Sequence, residues 1–377
     1  MTSETSTDPA DSADPADTAS ERNPAEIVDD AERTRDLANP TRLGRWMDAQ
    51  GLAGDGEPEV RHISGGASNE IFEVIRGGRR MALRRPPRNV PKGRNETMLR
   101  EYRILNALNG TDVPHPGAVA VCEDDSVIGS AFYLMDFVDG WTAMALPRWP
   151  DPFEDDLIAR SGLAFALIDG IAKLGSVDWE VQGLAGLGKP DGFHERQVDR
   201  WMSQWAGYKF RELPGLDAAA EFLRTYTPGS YKPGIMHGDY QFANVMFHHG
   251  GPARLAAIVD FEMGTIGDPL LDLAWVLMSW PNADEDRSVT SYVDYGGMPD
   301  REDLLEYYAT QSGRAVDEID YYVVLANFKM SIVLEGGYAR VAKGETDNPK
   351  MAYFGDVAID YARKAGEFAQ RTPLGKR

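Results

Sequence analysis

The sequence predicts an α+β chain in two lobes, a small N-terminal antiparallel β lobe with one helix and a large, mostly helical C-terminal lobe. Three observations carry this. Short β-rich runs separated by turn residues fill positions 58–138. Helical periodicity takes over from Gly140. A length of 377 residues with 42% hydrophobic content is enough for two lobes, each with its own core.

Residues 1–30 are rich in Ser, Thr, Pro and Ala, with nine carboxylates against the single Arg22, and so read as a disordered acidic tail. A short amphipathic helix with Leu43, Trp46, Met47 and Leu52 then opens the N-terminal lobe, 31–138. "EVRHIS", "EIFEVIR" and "RMALRRP" read as strands joined at Gly65-Gly66 and Gly77-Gly78. The helix "NETMLREYRILNAL" interrupts them, carrying Met98, Tyr102, Leu105 and Leu108 at helical spacing. "GAVAVCED" and "SAFYLMDFV" complete a β-β-β-α-β-β order. In the C-terminal lobe, 139–377, helices are expected near 153–175, 194–226, 269–281, 301–312 and 316–343. Only "GIMHGD", "NVMFHH" and "RLAAIVDF" look like strands there, and no internal repeat is visible.

A formal charge of -21 repels nucleic acid and anionic membranes, so neither is an expected partner. The single cysteine, Cys122, permits no intrachain disulfide and suits a reducing compartment. The first thirty residues lack a basic, apolar leader, and runs such as "LLDLAWVLMSW" are too short to span a bilayer. A cytoplasmic protein is therefore expected; its oligomeric state is not legible.

The chemistry concentrates in "IMHGDYQFANVMF" and "AAIVDFEMGTIGDP". His237, Asp239, Asn244 and Asp260 offer too few soft ligands for zinc, but a carboxylate with an Asn/Asp pair suits a hydroxyl and a magnesium ion. Phosphoryl transfer needs a base to orient the attacking oxygen and oxygen ligands for the metal. Asp239 is the candidate base, and Asn244 and Asp260 are the candidate metal ligands. The competing reading makes the two aspartates turn or cap residues. His237 reads as a loop brace rather than a proton carrier. Asp268 and Asp272 in "GDPLLDLA" read as helix-start and bracing residues, because Pro269 suits a first helical position.

Taken together, "HGDYQFANVMF" and "IVDFEMGTIGDPLLDLAWV" resemble the aminoglycoside phosphotransferase and choline kinase family, relatives of the protein kinases, over about residues 40–370. "HERQVDRWMSQWAGYKFRELP" and "FKMSIVLEGGYARVAKG" are similar to a branch that includes kinase domains fused to acyl-CoA dehydrogenases and phosphotransferase-like proteins of actinobacteria. The resemblance implies a bilobal protein-kinase-like fold in which ATP and Mg2+ occupy the interlobe cleft and the γ-phosphate passes to a small-molecule hydroxyl. It places Gly65, Gly66, Ala67, Ser68 and Asn69 on the triphosphate. Ala82 and Arg84 share one strand face, with Arg84 where the family usually has lysine and Glu101 as its helix partner; Arg85 falls on the other face. Met135, Asp136 and Val138 would line the adenine hinge.

In the dehydrogenase-linked branch the implied acceptor is a hydroxyacyl-CoA, for which Arg196, Arg200, Trp201, Trp205, Lys209, Lys329, Tyr338 and Arg340 are the candidate basic and aromatic contacts. The same residues read equally well as amphipathic helices with aromatic cores and basic rims. An aminoglycoside phosphotransferase proper stays open, as does a nucleotide-binding pseudokinase scaffold, motivated by the Lys-to-Arg change. A protein kinase is disfavoured, since seven residues between Asp260 and Asp268 leave no room for an activation segment.

Overall fold

Paired glycines set the register of the first strands in the computed structural model, which describes residues 24–52, 54–63, 69–90, 92–144, 146, 148–229, 231–281 and 293–375. Strand β2 (Glu70–Arg76) turns back into β3 (Arg79–Arg85) through Gly77 and Gly78 at φ 57° and 75°, a two-residue hairpin that a side chain at either position would strain. β1 (Glu59–His62) pairs antiparallel with β2, and the sheet continues past β3 to β5 (Phe132–Asp136) and then β4 (Ala118–Cys122). The β-β-β-α-β-β order expected from the sequence is the order found, with α3 (Arg94–Leu108) as its helix.

The described residues gather into two compact units. One comprises the chain up to Asn95 with Ala120–Leu134; the other comprises Glu96–Val119 with Met135 onward. Most of α3 thus belongs to the larger unit. Arg100 Nε donates to Gly264 O (3.1 Å), and Arg103 Nη2 donates to Gly183 O and Ala185 O (2.7 and 2.8 Å).

In the smaller unit, α1 spans Pro24–Leu37, so the segment expected to be tail is helical from residue 24. A proline at a first helical position supplies a preset φ and needs no backbone donor. The expected tail before residue 24 lies outside the described residues. α2 (Pro40–Ala49) is capped by the Asn39 side chain, which accepts from Arg42 N at 3.1 Å, and it buries Leu43 and Met47. Arg85 is a buried strut: Nη1 donates to Leu37 O (2.7 Å) and Ile128 O (2.8 Å), and Nε donates to Pro86 O (2.9 Å). Burial lowers its pKa to about 10.

The larger unit carries two small ribbons among helices. β6 (Gly234–Met236) pairs with β9 (Thr265–Gly267), and β7 (Val245–Phe247) pairs with β8 (Leu255–Ile258). α4 (Leu157–Ser176) is capped by Asp156, which accepts from Ile158 N and Ala159 N. α7 (Leu270–Leu277), α8 (Arg301–Ser312) and α9 (Ile319–Ala342) follow, and α9 packs on α7 and on α10 (Pro349–Arg371).

Three expectations change here. The single helix expected at 194–226 is two, α5 (Gln197–Ala206) and α6 (Leu216–Thr225), because Gly207, Pro214 and Gly215 break it. Gly215 sits at φ 92°, with Ala362 O only 2.4 Å from where a Cβ would stand. β9 was not foreseen, since three residues carry no alternation. α10 was missed because its buried stripe is Gly355, Ala358, Ala362, Ala365 and Gly366, small residues that hardly register as apolar periodicity.

Replacing Arg85 with alanine removes the guanidinium donor from three carbonyls, Leu37 O, Ile128 O and Pro86 O, and opens a cavity, and is expected to lower unfolding stability by roughly 2–4 kcal/mol in urea titration.

Candidate functional site

Strand β6 delivers the chain into "HGD", and helix α7 holds it there. The Asp272 carboxylate, on the first turn of α7, accepts from His237 N (2.6 Å) and Gly238 N (2.8 Å). Burial raises its pKa, opposed by His237, by these two backbone bonds and by Lys329. His237 is fully buried, with Nε2 at 2.8 Å from Val259 O, so the histidine braces the loop as its sequence position suggested. Asp268 plays the helix-start part: Oδ1 accepts from Leu270 N, while Oδ2 accepts from the Tyr322 hydroxyl (2.6 Å) and lies 3.2 Å from His194 Nε2. Gly238 has φ 84°, and a Cβ there would stand 2.6 Å from Met263 O, so the loop closes only around glycine.

The half-buried Asp239 follows, with its carboxylate fixed by three donors. Oδ1 accepts from Gln241 Nε2 (2.9 Å) and Trp275 Nε1 (2.8 Å); Oδ2 accepts from Asn244 Nδ2 (2.9 Å). Asn244 Nδ2 also donates to Asp239 O (2.8 Å), so the amide nitrogen is committed and Oδ1 is the atom left to meet a cation. Sequence reading missed both Gln241 and Trp275. A usable signal existed for Trp275: it stands three residues after Asp272 on one helix, hence on the same face.

Asn244 and Asp260 stand near the same end of the β7–β8 ribbon. Val245 pairs with Ile258, and Val259 N donates to Asn244 O at 3.0 Å. Among the described residues Asp260 is the one non-glycine with positive φ, 66°, a left-handed conformation that aspartate tolerates better than most residues. Carboxylate oxygens of Asp260, Glu262 and the fully buried Glu101 lie within 4.8 Å of one another. An all-oxygen, strongly anionic set of this kind fits a hard divalent cation such as magnesium.

Beside the loop lies a cavity of about 470 Å³, walled by Gly238 and by five cationic side chains: Arg100, Lys189, Arg196, Arg200 and Lys329. Glu262 is the one acid in its wall. Phe193, Trp201, Met236, Leu187 and Ile266 add apolar surface. Desolvation, then Arg103 and Arg200, lower the pKa of Arg100, as expected where burial and neighbouring cations both disfavour the charged form. Arg196 also ties down its own loop, donating to Lys189 O and Asp191 O.

The expected acceptor residues divide. Arg196, Arg200, Trp201 and Lys329 meet at this cavity, whereas Trp205, Lys209, Tyr338 and Arg340 do not line it. Trp205 is buried one turn along α5 beneath the Lys209 ammonium, 4.3 Å from its ring centroid. Tyr338 lies nine residues after Lys329, half a revolution away on α9, and packs under the Arg211 guanidinium at 4.4 Å. Arg211 in turn forms an ion pair with the buried Glu335 (2.6 Å). Arg340 is exposed in the last turn of α9, paired with Glu345 at 3.8 Å. Sequence reading missed Arg100, Lys189 and Phe193, whose segments carry no shared motif.

Of the expected nucleotide contacts, Gly65, Gly66, Ala67 and Ser68 lie outside the described residues, and Asn69 is buried at the entry to β2. Ala82 and Arg84 are buried in β3, their backbones opposite Glu73 and Ile71. Met135 and Val138 are half-buried, and Asp136 is exposed with its N–H donated to Gly117 O (2.8 Å).

Comparison with known proteins agrees with this geometry. The description "Phosphotransferase enzyme family" matches residues 59–307. "Acyl-CoA dehydrogenase family member 11" of Gallus gallus is 30% identical over 326 residues, 84% of this chain and 41% of that protein. The chain therefore spans about two-fifths of that relative's length. A crystal structure from Ralstonia eutropha JMP134, assigned to the aminoglycoside phosphotransferases, is 30% identical with a TM-score of 0.75, covering 88% of this chain and 98% of that one. Aminoglycoside phosphotransferase APH(4)-Ia, in ternary complex with ADP and hygromycin B, shares the fold at 12% identity and a TM-score of 0.57, covering 88% and 99%. No described helix is long and apolar enough to cross a membrane. With its kinase-like α+β fold and the family match over most of its length, the chain belongs to the phosphotransferase enzyme family.

Proposed function

We propose that this protein is an ATP- and Mg2+-dependent phosphotransferase that acts on the hydroxyl of an anionic small molecule, a hydroxyacyl-CoA. The observation that carries this reading is the Asp239 carboxylate, fixed by three donors, next to a cavity with five cations in its wall and one acid. In a chain of net charge -21, such a concentration of guanidinium and ammonium groups suits an acceptor bearing phosphates. The apolar wall of Phe193, Trp201 and Ile266 suits an acyl or pantetheine chain. A polycationic aminoglycoside would meet like charge there. The resemblance to a protein named for acyl-CoA dehydrogenation supports the same acceptor class.

In the reaction, the acceptor hydroxyl is oriented by Asp239 and gives its proton to that carboxylate as its oxygen bonds the γ-phosphorus and the bond to the ADP oxygen breaks. Asn244 Oδ1 and the Asp260 carboxylate would hold magnesium, which supplies charge neutralisation on the phosphates. Arg84 takes the phosphate-binding part that lysine has in most relatives, with a planar fork in place of a point charge.

Asp239→Asn is expected to leave ATP affinity nearly intact while turnover falls by about two to four orders of magnitude, measured as phosphate transfer. Asp260→Asn is expected to weaken nucleotide binding only in the presence of magnesium, read by titration calorimetry with and without the cation. A mass-detected transfer screen over hydroxyacyl-CoA esters, amino alcohols and aminoglycosides decides the acceptor. Charge removal by Arg200→Gln should raise KM for the hydroxyacyl-CoA by about tenfold and leave KM for ATP unchanged. Transfer to kanamycin-like compounds with none to any hydroxyacyl-CoA would replace the acceptor class while leaving phosphotransfer in place.

A further inference from the structure

Lys329 on α9 is buried, 6% exposed, yet among the described residues no carboxylate lies within ion-pair distance of it. Its ammonium donates to Gly238 O at 3.0 Å and sits 4.3 Å from the ring centroid of Trp275, with the Trp201 ring 5.5 Å away. The same Trp275 indole donates its Nε1–H to Asp239 Oδ1 at 2.8 Å. The cation thus touches both supports of one residue: the peptide that precedes Asp239 and the ring that holds its carboxylate.

A lysine buried without an ion-pair partner costs stability, because its desolvation is offset by one carbonyl, two aromatic faces and the more distant charges of Asp272 and Asp239. That cost points to a task. A cation over an indole face draws electron density from the ring and makes the N–H a stronger donor, while the ammonium pins the carbonyl of Gly238. We infer that Lys329 is a positioning residue of the transfer site, holding the Asp239 carboxylate in place through the Trp275 indole and the Gly238 carbonyl. The inference rests on the reading of Asp239 as the base that receives the acceptor proton. Gln241 and Asn244 are neutral donors to the same carboxylate, so Lys329 is the cation behind its hydrogen-bonded cradle.

The test uses the full chain with 15N-labelled tryptophan, in which the Trp275 indole resonance is identified by its loss in Trp275→Phe. In Lys329→Met, solvent exchange of the Trp275 Nε1–H is expected to quicken about tenfold or more, since its partner is no longer held. Magnesium-dependent ATP turnover, to a hydroxyacyl-CoA or to water, should fall about 10- to 100-fold in kcat with KM for ATP unchanged. Introduced into Trp275→Phe, the same substitution should cost little further kcat, because both changes remove one arrangement.

A second readout follows from ionisation. Burial lowers the Lys329 pKa to about 8 from an ordinary 10.5, against the raising influence of Asp272 and Asp239 and with a further lowering by Arg200. Between these values the unfolded chain binds the additional proton, so folding stability should rise with pH across that window and not in Lys329→Met. Unchanged indole exchange in Lys329→Met overturns the inference. So does a kcat loss that adds fully to that of Trp275→Phe, the pattern of a merely structural residue. If the wild-type chain moves phosphate from ATP to no acceptor, the proposed function fails, and the exchange and pH readouts decide the positioning role by themselves.

Discussion

The paired backbone donors of His237 and Gly238 on the Asp272 carboxylate organise everything downstream of β6. Two charge-assisted bonds from one carboxylate fix two successive peptide planes, which sets where Asp239 emerges. The carboxylate belongs to α7, so the helix that braces the loop also presents Trp275 to the Asp239 carboxylate. α9 packs on α7 and brings Lys329 to the same point from the other side. Loop, brace and cation are thereby parts of one packed arrangement, and a shift in α7 would be felt at all three.

Much of this was legible in the sequence because short polar motifs fix local geometry. Gly77-Gly78 permits only a tight hairpin, and "GDPLLDLA" announces a helix start with two bracing acids. The spacing of Asp239 to Asn244 suggests an amide turned toward the same cavity as the carboxylate, and the structure adds a direct hydrogen bond from Asn244 Nδ2 to Asp239 Oδ2 at 2.9 Å. Where side chains are small, the sequence was mute: α10 packs through alanine and glycine, whose close approach to α9 leaves no hydrophobic signal. The cavity proposed for the acceptor was half legible. Arg196, Arg200, Trp201 and Lys329 fell in segments already under suspicion, but Arg100 comes from a helix that the element order alone would have assigned elsewhere. Tyr338 and Arg340 show the reverse error, since sharing a segment with Lys329 does not mean sharing its helix face or its depth.

The two neighbouring arginines of β3 show how burial separates residues that composition treats alike. Arg85 satisfies carbonyls from α1 and from the chain before β5, and its guanidinium is part of the core. Arg84 is equally inaccessible but points from the opposite side of the strand, where phosphate binding remains its proposed task. Conserving a positive charge at either position would therefore preserve quite different things.

The contrast between an acidic chain and a basic cavity bears on how the proposed anionic acceptor would arrive. At physiological ionic strength fields decay over about 8 Å, so the five cations in the cavity wall act only at close range, within a chain of formal net charge -21. Long-range steering would then contribute little, and discrimination would fall to the docking step, where guanidinium groups replace lost hydration. On that reading, residence in the cavity rather than collision would govern how fast the acceptor is used.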